Sequence, residues 1–259
     1  MYAVLYIWRT MWRLWFLQIS SCFLLLSVFG KSEQSRADLA EKWSKVGGSK
    51  NKAGDVNGAI KAYQMVLKYR KTGFDLHNLG SLYSRVGDHE KACELYKEAV
   101  GLEPKHHALI NNAGSIFASA GRRQDAIRYY KKAWKLSGKS NDIYGYNYGI
   151  TLIPNHHREL LDGDRKYLRR ARKVLKKVLK INSKFPEVYW KLGVIEAKLS
   201  GYHIASKHFK KALDLDKQGL SRRLARPEVL YELHDSLLGY EPTPDYTGAI
   251  KALQEAVQL

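Results

Sequence analysis

The sequence predicts an all-α chain of about six helix-turn-helix repeats behind an N-terminal hydrophobic helix, and three observations predict it. First, residues recur together at one period. Gly54, Gly87 and Gly121 are spaced by 33 and 34, and Ala59, Ala92, Ala126 and Tyr63, Tyr96, Tyr130 follow in register. Second, apolar residues inside each period fall at helical spacing, as in Ala92, Tyr96 and Ala99. Third, the composition is that of a folded α-rich protein: 45% hydrophobic, 27% charged and only 6 Pro in 259 residues. One two-helix hairpin cannot bury its own apolar face, so the copies have to stack.

The chain begins with an aromatic-rich stretch carrying Arg9 and Arg13, followed by the uncharged run Leu14–Gly30. A positive start before an apolar run is the pattern of a signal peptide or a signal anchor. As a helix the run spans about 25 Å, slightly short of a bilayer core of about 30 Å. Val28-Phe29-Gly30 offers a cleavage site, and residues 31–38 read as a linker. The expected location is a single-pass membrane or the secretory pathway, with the side left open.

The repeats then run approximately 39–72, 73–106, 107–140, 141–184, 185–218 and 227–259. The first carries Trp43, Gly47, Gly54, Ala59, Tyr63 and Leu67. The second carries Leu79-Gly80, Tyr83, Gly87, Ala92, Tyr96, Ala99 and Pro104, and the third Gly114, Phe117, Gly121, Ala126, Tyr130 and Ala133. The fourth opens with Tyr148-Gly149 and Leu152, has an insertion between Ile153 and Asp164, and continues with Ala171, Leu175 and Val178. Tyr189, Leu192-Gly193, Ala205, Phe209 and Ala212 mark the fifth. The sixth runs from Leu230, Leu233 and Leu237 through a turn at Pro242 and Pro244 to Ala249, Leu253 and Ala256. A Gly at the turn between helices suits a left-handed C-cap, and small residues let paired helices approach closely while the aromatic fills the gap to the next repeat.

These residues at this period resemble the tetratricopeptide repeat (TPR), W-x2-L-G-x2-Y followed by A-x3-F and P. The resemblance implies a right-handed superhelix in which the first helix of each repeat lines a concave groove. It also implies binding of a protein or peptide rather than catalysis. On that geometry the groove candidates are His77, Asn78, Ser81 and Arg85 in the second repeat, Asn111, Asn112 and Ser115 in the third, and Asn147 in the fourth.

Asn78, Asn112 and Asn147 each stand two residues before the helix Gly. A side-chain amide both donates and accepts, so a column of them can hold an extended backbone with little sequence preference. The column resembles the asparagine ladder in the TPR region of O-GlcNAc transferase, although Lys45 and Lys191 interrupt it in the first and fifth copies. Local capping within each repeat is the competing reading of the same asparagines. The clamp by which some TPR proteins hold chaperone C-termini is not matched. Ser44, Gly48 and Ala108 occupy three of its places, and only Asn78 fits.

The net charge of +19 attracts polyanions of any class, acidic proteins among them. Much of it is local. Arg165, Lys166, Arg169, Arg170, Arg172, Lys173, Lys176, Lys177 and Lys180 crowd one segment, around an apolar stripe of Leu168, Ala171, Leu175, Val178 and Leu179. Such a helix reads either as a solvated outer face or as a patch for RNA or anionic lipid. Nucleic acid is disfavoured, since no aromatic lattice or zinc spacing accompanies the cations.

The sequence contains no phosphate-binding loop, metalloprotease, nucleophile-elbow or C-x-x-C motif. Cys22 lies in the leader, and Cys93 follows the packing Ala92, where a buried thiol is expected. His106-His107 and His156-His157 read as loop residues. No cofactor or metal is called for. The expectation is a non-catalytic scaffold that binds an extended peptide, with membrane attachment if the leader is uncleaved. The alternatives are the substrate-recognition portion of a larger enzyme such as a glycosyltransferase, or a basic RNA- or lipid-binding scaffold. The C-terminal end offers a surface for self-association.

Overall fold

The computed structural model describes residues 33–154, 161–217, 226–239 and 245–257, and every regular element among them is an α-helix. The leader, with its signal or anchor reading, lies outside the described residues, as do His156, His157, Pro242 and Pro244. Helix α1 covers residues 33–52. It is followed by α2 (Val56–Tyr69), α3 (Gly73–Arg85), α4 (His89–Leu102), α5 (His107–Ser119) and α6 (Arg123–Leu136). Then come α7 (Asp142–Thr151), α8 (Asp162–Ile181), α9 (Pro186–Lys198), α10 (Tyr202–Lys217), α11 (Arg226–Leu238) and α12 (Tyr246–Val257).

The chain divides into two compact units, Met1–Leu102 and Glu103–Leu259. In the first, α1 and α2 enclose a core of Ala40, Ala59, Tyr63 and Val66 to which α3 adds Leu79 and Leu82. In the second, the hairpins α5–α6, α7–α8, α9–α10 and α11–α12 follow one another, each second helix packing on the next first helix. This is the stacking that an unclosed hairpin requires.

The location expected from the leader, single-pass membrane or secretory pathway, does not stand. Among the described residues no helix is long and apolar enough to cross a membrane. The 20-residue α8 has the length, but its cations would each cost several kcal/mol in hydrocarbon.

Glycine ends the first helix of the early hairpins for a conformational reason. Gly87 has φ +83°, the left-handed region. With it in place, the Asp88 N–H reaches the Tyr83 carbonyl at 2.9 Å and closes the Schellman turn that ends α3. The α9–α10 turn makes the same bond, Gly201 N–H to the Glu196 carbonyl at 2.8 Å, but with Ser200 at φ 63° in the left-handed position.

Close approach is what the recurrent helix Gly provides. A methyl group at Gly80 would stand 2.8 Å from the Tyr96 ring, and at Gly114 2.7 Å from the Tyr130 ring. Gly47 meets Tyr63 and Gly193 meets Phe209 in the same way. The aromatic therefore closes its own hairpin, where the sequence suggested that it fills the gap to the next. In the fourth hairpin Leu175 takes the place of the ring, over Gly149.

An ion pair fixes the passage from α2 to α3. Arg70 donates to both carboxylate oxygens of Asp75, at 3.0 and 2.8 Å. Asp75 also closes the capping box with Thr72 at the start of α3. Burial pushes the Asp75 carboxyl upward, but the hydrogen bonds from Arg70 and Thr72 outweigh it and hold the group below its usual range.

Candidate functional site

In the first unit the groove candidates lie on α3, where Asn78, Ser81 and Arg85 share a face at helical spacing. Most of them are held locally. The His77 ring nitrogen is 2.8 Å from the Tyr96 hydroxyl, and burial pushes that phenol well above its ordinary value. The Ser81 hydroxyl donates to the Asn78 carbonyl at 2.9 Å, and the Arg85 guanidinium donates to the Asn51 side chain. The half-buried Asn78 amide forms no side-chain hydrogen bond among the described residues.

In the second unit the same positions fall on α5, α7 and α9. Asn111 is 8% exposed and accepts a 3.1 Å bond from the Asn147 side chain, which ties α5 to α7. Ser115 accepts from the Tyr130 hydroxyl at 2.9 Å, so the ring that closes the hairpin also orients a groove residue. Asn112, half-buried, makes no side-chain hydrogen bond among the described residues. The Asn147 amide retains its carbonyl oxygen as an acceptor once its N–H is committed to Asn111.

One turn further along each of these helices, the same face opens onto a cavity of about 580 Å³. Ala118 of α5, Ile150 and Thr151 of α7, Lys191, Val194 and Lys198 of α9, and Glu232 of α11 line it. Four successive first helices thus contribute to one hollow, a feature that no single repeat encodes. Arg123 forms part of its wall and donates to the carbonyls of Thr151 and Leu152 at 3.0 and 2.9 Å, closing the C-terminal end of α7.

Lys191 stands at the asparagine position and is half-buried, its ammonium 3.4 Å from the centroid of the Trp190 ring. Burial lowers its pKa, and the charges of Glu232 and Glu228 only partly oppose this. Burial likewise raises the pKa of Glu232. Two opposite charges on one wall are therefore both short of solvation. Arg123, Lys198 and Glu232 were not legible as site residues, because nothing periodic marks them. Lys191 was visible only as a break in the asparagine column.

The nine cations of α8 project from a helix whose other face is buried through Leu168, Ala171, Val174, Leu175 and Val178. Val174 joins the stripe that the sequence indicated. Arg172 alone is drawn into the fold, 3.1 Å from the Glu196 carboxylate, whose side chain is 4% exposed. Arg165, Lys166, Arg169, Arg170, Lys173, Lys176, Lys177 and Lys180 are exposed. Elsewhere, His106 caps α5, its ring nitrogen accepting from the Leu109 N–H at 3.1 Å, and Cys93 is buried. Among the described residues no cluster of His, Cys, Asp and Glu is arranged to hold a metal ion.

Comparison with known proteins places this geometry. The family model described as "Tetratricopeptide repeat" matches residues 76–106. A search of the curated proteins finds no match. Solved structures do match. A crystal structure of MamA is 24% identical, covers 70% of this chain and 94% of its own, and superposes with a TM-score of 0.60. The pilF protein of Pseudomonas aeruginosa is 15% identical over 87% of this chain and 92% of its own, with a TM-score of 0.64. YrrB, described as a TPR protein with an unusual peptide-binding site, is 15% identical over 73% of this chain and 92% of its own, with a TM-score of 0.58. At these identities the likeness is one of fold, and the resemblance to O-GlcNAc transferase rests on asparagine spacing alone. Residues 76–106 thus match the tetratricopeptide repeat in sequence, and the chain shares its fold with solved TPR structures.

Proposed function

We propose that this protein is a non-catalytic interaction scaffold whose second unit holds an extended peptide along the inner face of α5, α7 and α9. The observation that carries the reading is the 580 Å³ hollow that successive first helices line one turn beyond their asparagine positions, with Lys191 on its wall. Asn112 and the carbonyl oxygen of Asn147 supply amide groups suited to a peptide backbone. Lys191, short of solvation, gains more from an acidic partner side chain than an exposed lysine would. In the first unit Asn78 offers the same chemistry on α3. YrrB, with its peptide-binding site, supports the class of ligand but not its sequence.

The test uses random extended peptides displayed on phage and selected against the full chain. Selected peptides are expected to share an extended backbone and acidic positions more than any motif. Asn112→Ala is expected to weaken their binding about fivefold, the value of one net hydrogen bond. N-methylation of a peptide's central amide should weaken it by a similar factor. Binding that ignores both changes would remove backbone capture as the mechanism.

A further inference from the structure

On the other side of the fourth hairpin, α6 and α8 face one another across a separate cavity of about 350 Å³. From α6 and the turn after it come Lys131, Lys135 and Lys139; from α8 come Arg170, Lys173 and Lys177. Each set is spaced to lie on one side of its helix, so both rows converge on the hollow. Trp134, Tyr148 and Val174 complete the lining, and no carboxylate contributes to it.

The charge of this cavity is uncompensated. None of the six cations forms an ion pair among the described residues, whereas Arg172 of the same helix is matched to Glu196. Arg170 is steadied by the Tyr148 ring, 5.5 Å away, which fixes a cation without neutralising it. Crowded like charges repel, and a cleft with apolar walls concentrates their field. A ligand that relieves the repulsion has to bring several negative charges into a small volume.

We propose that this cavity is a binding site for a compact polyanion carrying two or more linked phosphates, free in solution. A phosphate brings about −1.5 to −2 charges and three acceptor oxygens, whereas an acidic peptide brings about one charge per residue. Lysine meets phosphate as a mobile point charge, and Arg170 adds a planar donor fork. The aromatic residues argue against single-stranded nucleic acid. Trp134 is 5% and Tyr148 3% exposed, so neither presents a face on which a base could stack. The cations also converge on a hollow instead of following a strand.

The experiment is calorimetric titration of the full chain with inorganic tripolyphosphate at physiological salt. Saturable one-to-one binding is expected, with orthophosphate at least about tenfold weaker, since fewer charges meet the same cations. Lys135→Glu with Lys177→Glu should reduce tripolyphosphate affinity by about tenfold or more, while Lys166→Glu with Lys176→Glu, an equal charge change outside the cavity, should stay within about twofold. The milder Lys135→Gln with Lys177→Gln, checked for helicity by circular dichroism, guards against a folding artefact and should also weaken binding. Equal losses from the two charge-reversal pairs would reduce the effect to diffuse surface charge and overturn the proposal. So would capture by phosphoinositide vesicles, or by single-stranded RNA, without measurable tripolyphosphate binding.

Discussion

The hairpins α5–α6 and α7–α8 belong to the same compact unit and solve the same packing problem differently. In α5–α6 a planar ring, Tyr130, lies against Gly114, and its hydroxyl reaches Ser115. In α7–α8 the flexible Leu175 lies against Gly149, and the second helix extends to 20 residues. The repeat thus requires a small residue facing a large apolar one and is indifferent to the chemistry beyond that contact. Freed from a hydroxyl to place and from a short turn, α8 carries the densest positive charge in the chain. Packing fixes one face of a second helix, and the other face is available for function.

Breaking α8 where its charge is structural should have the largest effect. Arg172→Ala leaves the buried Glu196 carboxylate without its partner, and urea denaturation should show a loss of about 2 kcal/mol. That is below the usual figure for a buried pair, because the Arg172 side chain is 36% exposed. Lys173→Ala, one residue along and exposed, should stay within about 0.5 kcal/mol. Equal effects would mean that the division of α8 into one structural and eight surface cations is wrong.

The glycine contacts sharpen the comparison at a smaller scale. Gly114→Ala presses a methyl onto a ring held on both sides, and overpacking of about 1–3 kcal/mol should exceed the gain of about 1 kcal/mol in helix propensity. Gly149→Ala meets Leu175 at Cδ2, 2.5 Å away, and at Cγ, 2.9 Å away, and because Leu175 is itself fully buried its flexibility relieves only part of the strain. Its net effect should be destabilising but smaller than that of Gly114→Ala. Thermal melting of the two variants side by side distinguishes a rigid lock from a forgiving one.

The smallest expected effect lies on the groove side. The Lys191 pKa is depressed in the fold, so the unfolded chain holds the proton more tightly as pH approaches the lysine range. Stability linked to Lys191 is therefore fully present above its unfolded value of about 10.5 and declines as pH falls through the folded value. Relative to Lys191→Met, the native protein should gain stability as pH rises toward 10.5, by less than about 1 kcal/mol in all. Parallel pH–stability curves would show that Lys191 is better solvated than its burial implies.

Much of the fold was legible because its determinants are local or periodic. Gly87 requires only its own φ, and the apolar stripe of α8 follows from helical spacing, with Val174 completing it. The turn glycine also has an exception that periodicity hid, since Ser200 adopts the left-handed conformation without being glycine. The candidate site was legible only in part. Asn111 and Asn147 were visible as polar groove residues, but the hydrogen bond that joins them spans 36 positions and belongs to the packing of α5 on α7. The location inferred from the leader was not sustained by any described helix.

By itself the sequence determined that hairpins form and where the early ones turn, because each of these follows from backbone conformation or from a period of about 3.6 residues. Tertiary structure alone decided that Lys131, Lys135 and Lys139 confront α8 across a cavity, that Arg172 finds Glu196, and that Lys191 is half-buried. Those relations depend on how one helix lies against another, and side chains on separate helices carry no mark of a shared space until packing brings them to it.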